Sequence, residues 1–458
     1  MATGQQTATL TAQQAARVAL VNLCRAALSA TFILSGFVKA IDPKGTQYKI
    51  EDYLQAAITG ATAPEWLTLG TSVTLSAMEF TLGVALLFAV MRKATTCLAT
   101  AMLVVMTAIT TWLYIANPIS DCGCFGDALH LTNGQTLAKN ILLLAMAAVT
   151  AWRPKDMIRL MSKNNGILAI NYSALFIIVC SLYSLHFLPP FDFRPYHIGA
   201  NIIDDMAIPD GAPQPVFETT FIMTKDGQTR EFTLEDYPDS TWTYVDTKTV
   251  MKDKGYVPPI HDFDIEDASG NNITEEVLTR PGYTFLLIAP HLENASDSNF
   301  GPIDQIYEYA QEHGYPFYCL TASVGEAIAR WQDMTGAEYP FCTTDPVTLK
   351  TIVRSNPGLL LLKDATIIQK WSHNELPSED ELSAPLEQLP IGQQRPTSDT
   401  KTILKTLAWF ILPLMLLSIA DRTFELTQRF RRKRRLAKQN SKKIASILTQ
   451  KKEKKMAK

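Results

Sequence analysis

Two cysteines, Cys122 and Cys124, stand two residues apart in the string Asp121-Cys122-Gly123-Cys124-Phe125-Gly126-Asp127. Thiols this close can form a disulfide, exchange one with a partner, or hold a metal. Gly123 and Gly126 lift the side-chain limit on backbone angles, so the loop can fold tightly. A disulfide closed across one residue is strained, and strained disulfides are more oxidising and exchange more readily. The flanking carboxylates of Asp121 and Asp127 would raise a thiol pKa rather than lower it. That disfavours a pre-activated nucleophile and suits an acceptor disulfide. From the residues alone three readings stay open: a redox-active pair, a structural bond, or a metal site of Cys122, Cys124, Asp127 and His130. A single CxC with no second cysteine pair nearby is poor ground for structural zinc, so no metal is expected.

The remaining five cysteines are scattered. Cys24, Cys97 and Cys180 fall in apolar runs, where Cys acts as a small apolar core residue. Cys319 reads as strand core. Cys342 ends a strand and reads as open to solvent. A Cys319–Cys342 disulfide, or exchange between Cys342 and the CxC loop, is compatible with the sequence. Glu79 lies near the middle of an apolar run, where a carboxyl is expensive and faces a cavity or a partner. It reads either as a proton- or quinone-site group or as a protonated hydrogen bond between helices. Lys39 lies near the end of a run and can snorkel.

The elements that carry these residues are long and apolar. Runs at about 16–40, 66–91, 95–116, 137–152, 167–188 and 403–420 approach or exceed the ~20 residues that cross a bilayer. They lack the polar face of soluble helices. The expected fold is therefore an α-helical membrane bundle, with the lipid bilayer as its first partner. Residues 1–14 carry no positive charge, so the first run reads as a retained helix rather than a signal peptide. The net charge of −3 hides a strong asymmetry. Arg92 and Lys93, then Arg153, Lys155, Arg159 and Lys163, then the tail from Arg429 onward, mark the cytoplasmic side. Both termini then lie inside. Residues 41–64, 117–136 and 189–401 fall outside the cytoplasm. The basic tail reads as a topology anchor at anionic headgroups, with no nucleic acid as partner. No Rossmann, P-loop or CxxCH motif is present, which argues against a nucleotide- or haem-driven enzyme.

The divisions expected are a four-helix transmembrane domain at 1–155, a cytoplasmic loop and fifth span at 156–190, and a β-rich extracytoplasmic segment at 191–280. An α/β domain at 281–377, a polar linker at 378–401, a sixth span at 402–420 and the tail 421–458 complete them. In the β-rich segment, 217–223 and 229–233 read as a hairpin around Lys225-Asp226-Gly227. From Tyr283 onward, short strands alternate with helices and end in a hairpin around Asp364-Ala365, as an α/β sandwich does.

The CGCFG string, followed by Leu137-Ala138-Lys139-Asn140 at a helix start, resembles the signature of MauE-like methylamine-utilisation membrane proteins. Residues 29–43, with ATFILSGFVKAIDP within them, resemble the first helix of the related DoxX family. The resemblance covers about residues 16–155. It implies a four-helix core in a bacterial inner membrane, to which the apolar runs at 167–188 and 403–420 add two further spans. It also implies a thiol–disulfide oxidoreductase role for Cys122 and Cys124, supported by Asp121, Gly123, Phe125, Gly126, Asp127, Glu79, Lys39 and Asn140. A periplasmic protein partner goes with that role, which would support a partner's maturation or protect against oxidative stress; DoxX-like relatives add a quinone as electron acceptor. Residues 283–371 resemble a thioredoxin-like domain, with Ser355-Asn356-Pro357-Gly358 where that fold places its cis-proline. The usual CxxC after the first strand is missing: Pro290-His291-Leu292-Glu293-Asn294-Ala295-Ser296 stands there. That leaves Pro357 and Cys342 as candidate partner-binding residues. The fused arrangement resembles DoxX-family proteins of Bacteroidetes. A non-catalytic scaffold that docks partners through the degenerate domain is the alternative function. Neither a client nor an oligomeric state is written in the sequence.

Overall fold

The computed structural model describes residues 11–58, 63–119, 123–214, 216–225, 228–233, 236, 238–239, 241–253, 255–396 and 399–456. In chain order the helices are α1 (Ala12–Ile41), α2 (Pro43–Ala57), α3 (Glu65–Phe88), α4 (Arg92–Ala116), α5 (Asn133–Trp152) and α6 (Lys163–His186). They continue with α7 (Ile202–Met206), α8 (Thr274–Thr279), α9 (Phe300–His313), α10 (Gly325–Thr335), α11 (Pro346–Ile352) and α12 (Asp399–Met456). The strands are β1 (Val216–Lys225), β2 (Gln228–Thr233), β3 (Thr243–Asp253), β4 (Tyr283–Ala289), β5 (Phe317–Thr321), β6 (Phe341–Thr343), β7 (Gly358–Lys363) and β8 (Thr366–Ser372). The chain divides into two compact units, Met1–Asp192 with Ser398–Lys458, and Phe193–Thr397.

Six of the described helices are long and apolar enough to cross a membrane: α1, α3, α4, α5, α6 and the Thr400–Lys442 part of α12. The protein is a multi-pass membrane protein, and these spans contact lipid. Small residues set the packing of α1 on α3. A Cβ added at Gly36 would run into the Phe80 backbone, and one at Gly83 would lie 2.7 Å from the Ile33 nitrogen. The two helix backbones therefore approach each other directly, as small residues allow in membranes. α4 packs on α5, and α5 on α1, closing a four-helix core. Leu28, Phe32, Leu86, Leu103 and Leu143 fill it. α6 lies on α3 and carries α12. Phe410 of α12 stands 5.0 Å from Phe80 and 4.9 Å from Phe176, ring centre to ring centre.

Two features depart from expectation here. Residues 41–64, read as a loop, contain α2. Asp42 caps it by accepting from the Gly45 nitrogen at 2.9 Å, and Pro43 occupies the first turn. The helix that carries the sixth span continues past 420. α12 runs 58 residues as one helix through the basic tail.

The second unit holds two sheets. The hairpin β1–β2 forms as read from the sequence, with its tip Asp226-Gly227 outside the described residues, and β3 pairs on the other side of β1. The larger sheet has the order β6-β5-β4-β7-β8, with β4, β5 and β6 parallel and β7 and β8 antiparallel. A central β4, a parallel βαβ crossover to β5, and a closing antiparallel hairpin with a cis-proline before β7 make this α/β sandwich thioredoxin-like. Phe285, Leu287, Ile306, Trp331, Leu359 and Leu361 form its core. Residues 378–396, read as a linker, instead wrap the domain. Leu382 and Leu386 are buried in that core. Tyr309 donates its hydroxyl to the Ala384 carbonyl at 2.6 Å, and Tyr283 to that of Gly392 at 3.0 Å.

Candidate functional site

One turn of α1 and one position of α3 place three polar side chains together inside the bundle. Ser35 and Lys39 are four residues apart, so they share a helix face. Lys39 Nζ lies 2.7 and 2.9 Å from the two Glu79 carboxylate oxygens and donates to Ser35 Oγ at 2.8 Å. Ser35 Oγ lies 2.8 Å from Glu79 Oε2 and 2.9 Å from the Cys124 carbonyl oxygen, so its single proton has two acceptors. Both charged side chains are less than a tenth exposed. Lys39 therefore does not snorkel. Its ammonium is drawn inward by a carboxylate that would otherwise be unpaired. Glu79 Oε2 lies 2.7 Å from Lys39 Nζ in a buried salt bridge.

The CxC loop lies over this cluster. Gly123 and Gly126 take positive φ of 60° and 53°, and the loop closes with the Gly126 nitrogen donating to the Gly123 carbonyl at 3.0 Å. It lies close to α2 and α1: a Cβ at Gly123 would meet Lys49 Cγ at 3.0 Å, and one at Gly126 would meet Val38 Cγ1 at 3.4 Å. Cys124 is disulfide-bonded. Asp121 and Cys122 lie outside the described residues. As a disulfide, Cys124 offers no thiolate to a metal. Asp127 sits in the short turn Gly126–Ala128. Phe125 is buried, and Lys139 of α5 stands 4.5 Å from the centre of its ring.

Cys124, Ser35, Lys39, Glu79, Lys139 and Asn140 line one small cavity. Asn140 donates to Thr110 Oγ1 at 3.2 Å, which ties α5 to α4 at the cavity wall. The space is about 50 Å³, room for about one or two waters. The structure thus brings together Cys124, Phe125, Lys39, Glu79 and Asn140. The sequence reading missed Ser35 and Lys139. Ser35 could have been found from its four-residue spacing to Lys39, and Lys139 from its place beside Asn140 in a buried helix start.

The other cysteines are free. Cys97, read as core, is exposed on α4. Cys342, read as open, is buried, and no Cys319–Cys342 disulfide exists. The strand register gives the reason. Cys319 pairs with Phe341 and Leu320 with Cys342, so the two thiols point to opposite faces of the sheet. Burial pushes the Cys342 thiol up to about 11 and raises that of Cys319 as well. A neutral buried thiol is a poor nucleophile.

In the thioredoxin-like domain the Asn356–Pro357 bond is cis and Pro357 is buried. Asn356 donates its side-chain amide to the His291 carbonyl at 2.8 Å. Ser323 donates to Glu293 Oε2 at 2.7 Å and accepts from the Leu292 nitrogen at 2.9 Å. That Ser323 hydrogen bond holds the Glu293 carboxyl below the usual carboxylate range. The position of a CxxC is thus occupied by a hydrogen-bonded turn without sulfur.

A helical membrane bundle joined to a thioredoxin-like α/β domain is the class of protein that these features define. Within it, residues 17–153 match the family described as methylamine utilisation protein MauE. Residues 217–254, the stretch of β1–β3, match a domain of unknown function, DUF8463. No curated protein matches the chain. Among solved structures, a thio-disulfide isomerase from Thermus thermophilus aligns at 13% identity and a TM-score of 0.19, over 33% of this chain and 93% of that one.

Proposed function

We propose that this protein carries out thiol–disulfide exchange on the extracytoplasmic face of a bacterial inner membrane, for the maturation or oxidative protection of a protein partner. Because Cys24, Cys97, Cys180, Cys319 and Cys342 are free, we assign Cys122 as the partner of Cys124. A thiolate of the partner protein attacks Cys122 Sγ. The Cys122–Cys124 bond breaks, a mixed disulfide forms, and the electron pair leaves on Cys124 Sγ. The partner's second thiolate then displaces Cys122. The partner is oxidised by two electrons and the pair is reduced, with the two protons ending on Cys122 and Cys124. Gly123, Gly126 and Asp127 shape the loop, and Asn140 holds the helix beneath it. The observation that supports it most is disulfide-bonded Cys124, joined through its carbonyl to a buried Lys39–Ser35–Glu79 cluster. Thiol trapping in intact cells, read by gel shift of the full chain, tests it. A mixture of states that follows added reductant is expected. A pair that stays reduced, or that resists every reductant, would rule the role out.

The sulfur-free turn after β4 favours a second reading, a scaffold that docks partners around Asn356, Pro357 and His291. A Cys122→Ser/Cys124→Ser double variant that matures clients as wild type does would establish that reading and remove the first.

A further inference from the structure

We infer that Lys139 is the counter-cation of the thiolate that Cys124 becomes when its disulfide opens. The inference rests on the exchange reading and assigns one residue within it. The charges around the cavity do not balance. α1 contributes Lys39, α3 contributes Glu79 and α5 contributes Lys139, while α4 contributes Met102, Leu103 and Met106. Lys39 and Glu79 neutralise each other at 2.7 Å. That leaves one ammonium over. Lys139 makes no ion pair among the described residues; it stands over the Phe125 ring, one residue along from Cys124, with Lys39 and Glu79 across the same cavity close enough to act on its charge. Lys49 of α2, whose stem meets Gly123, and Asp127 of the loop have interactions of their own.

An uncompensated cation in a membrane span is costly unless an anion or water meets it. The disulfide carries no charge, and the exchange puts one on Cys124 Sγ, the sulfur of a residue that lines this same cavity. Low dielectric strengthens the attraction between that thiolate and an ammonium lining the same space. The pair Lys39–Glu79 anchors the loop through Ser35 and contributes no net charge. Lys139 therefore supplies what the leaving sulfur lacks.

The test uses the full chain in lipid nanodiscs, reduced with a strong phosphine, with alkylation of Cys124 followed by peptide mass spectrometry against pH. In Lys139→Met the pH midpoint of Cys124 alkylation rises by about one unit or more, a roughly tenfold loss of thiolate near neutral pH. Lys139→Arg restores the wild-type midpoint. Lys139→Gln removes the same charge if Lys139→Met fails to insert. A midpoint unchanged in both neutral variants overturns the inference. Glutathione exchange of the wild-type disulfide is measured in parallel. Its absence removes the exchange reading, while the alkylation midpoints still decide the role of Lys139.

Discussion

Lys39 and Glu79 are separated by 40 positions and meet inside the helical bundle with less than a tenth of either side chain exposed. Breaking a buried pair leaves one charge without a partner, which costs about 3–5 kcal/mol, whereas replacing both charges by apolar groups is often close to neutral. Glu79→Gln should therefore destabilise the protein by about that amount, while Lys39→Met/Glu79→Met recovers most of the loss. Thermal unfolding of detergent-solubilised full-length protein measures both. Additive losses in the double variant would show that the pair is not the unit of stability. The sequence made each residue legible singly, because an ionisable group in an apolar run is conspicuous. It did not make the pair legible, because which helices face each other is decided by Gly36 and Gly83. Lys139 was hidden for a different reason. A lysine near the start of a helix is common and usually solvated, and its partner ring Phe125 lies in a loop whose fold no periodicity announces.

At the scale of elements, α1 and α3 touch because neither presents a side chain at the crossing. Gly36→Ala forces a methyl into the Phe80 backbone, so the helices must separate, while a Cβ at Gly70 of α3 meets nothing within 4 Å. Gly36→Ala should lower the thermal midpoint markedly. Gly70→Ala should leave it unchanged or raise it slightly, through about 0.5–1 kcal/mol of helix propensity. Equal effects at the two sites would refute the close-approach account. α2 was legible but passed over: Asp42-Pro43 is a capping residue followed by proline at the first helical position. The strap at 378–396 was not legible, since its polar, proline-containing surface gives no sign that Leu382 and Leu386 turn inward. Burial of the Cys342 thiol also sets a pH response. Cys342 titrates near 9 when unfolded and near 11 when folded. Between those values the folded state binds the extra proton, so stability is full below pH 9 and falls as pH rises toward 11. Cys342→Ala should flatten part of that slope in thermal melts of the full chain. An unchanged slope would assign the alkaline loss to the buried tyrosines, of which Tyr309 is pushed up to about 12.

Across the whole molecule, the alternation of six spans and the clusters of basic residues are two separate readings of one topology. Six apolar helices are present, and an even number of crossings returns the chain to the side on which it began. Arg92, Lys93, Arg153, Lys155 and the basic stretch of α12 all fall at ends that this alternation puts together, and basic residues favour the cytoplasmic side. In the topology we propose, the CxC loop and the thioredoxin-like domain share the opposite side, the one where a disulfide such as that of Cys124 persists. Cysteines introduced singly in a Cys97→Ala background report on this directly, because Cys319 and Cys342 are buried and the loop pair is occupied while oxidised. A membrane-impermeant maleimide added to intact spheroplasts should label Ala128→Cys and Ser378→Cys, both at exposed positions, and spare Ser441→Cys until the membrane is permeabilised. Labelling of Ser441→Cys alone would invert the topology and place the cysteine pair in a reducing compartment, where an exchangeable acceptor disulfide would not be maintained. Labelling of Ala128→Cys without Ser378→Cys would break the alternation itself and remove one of the six crossings.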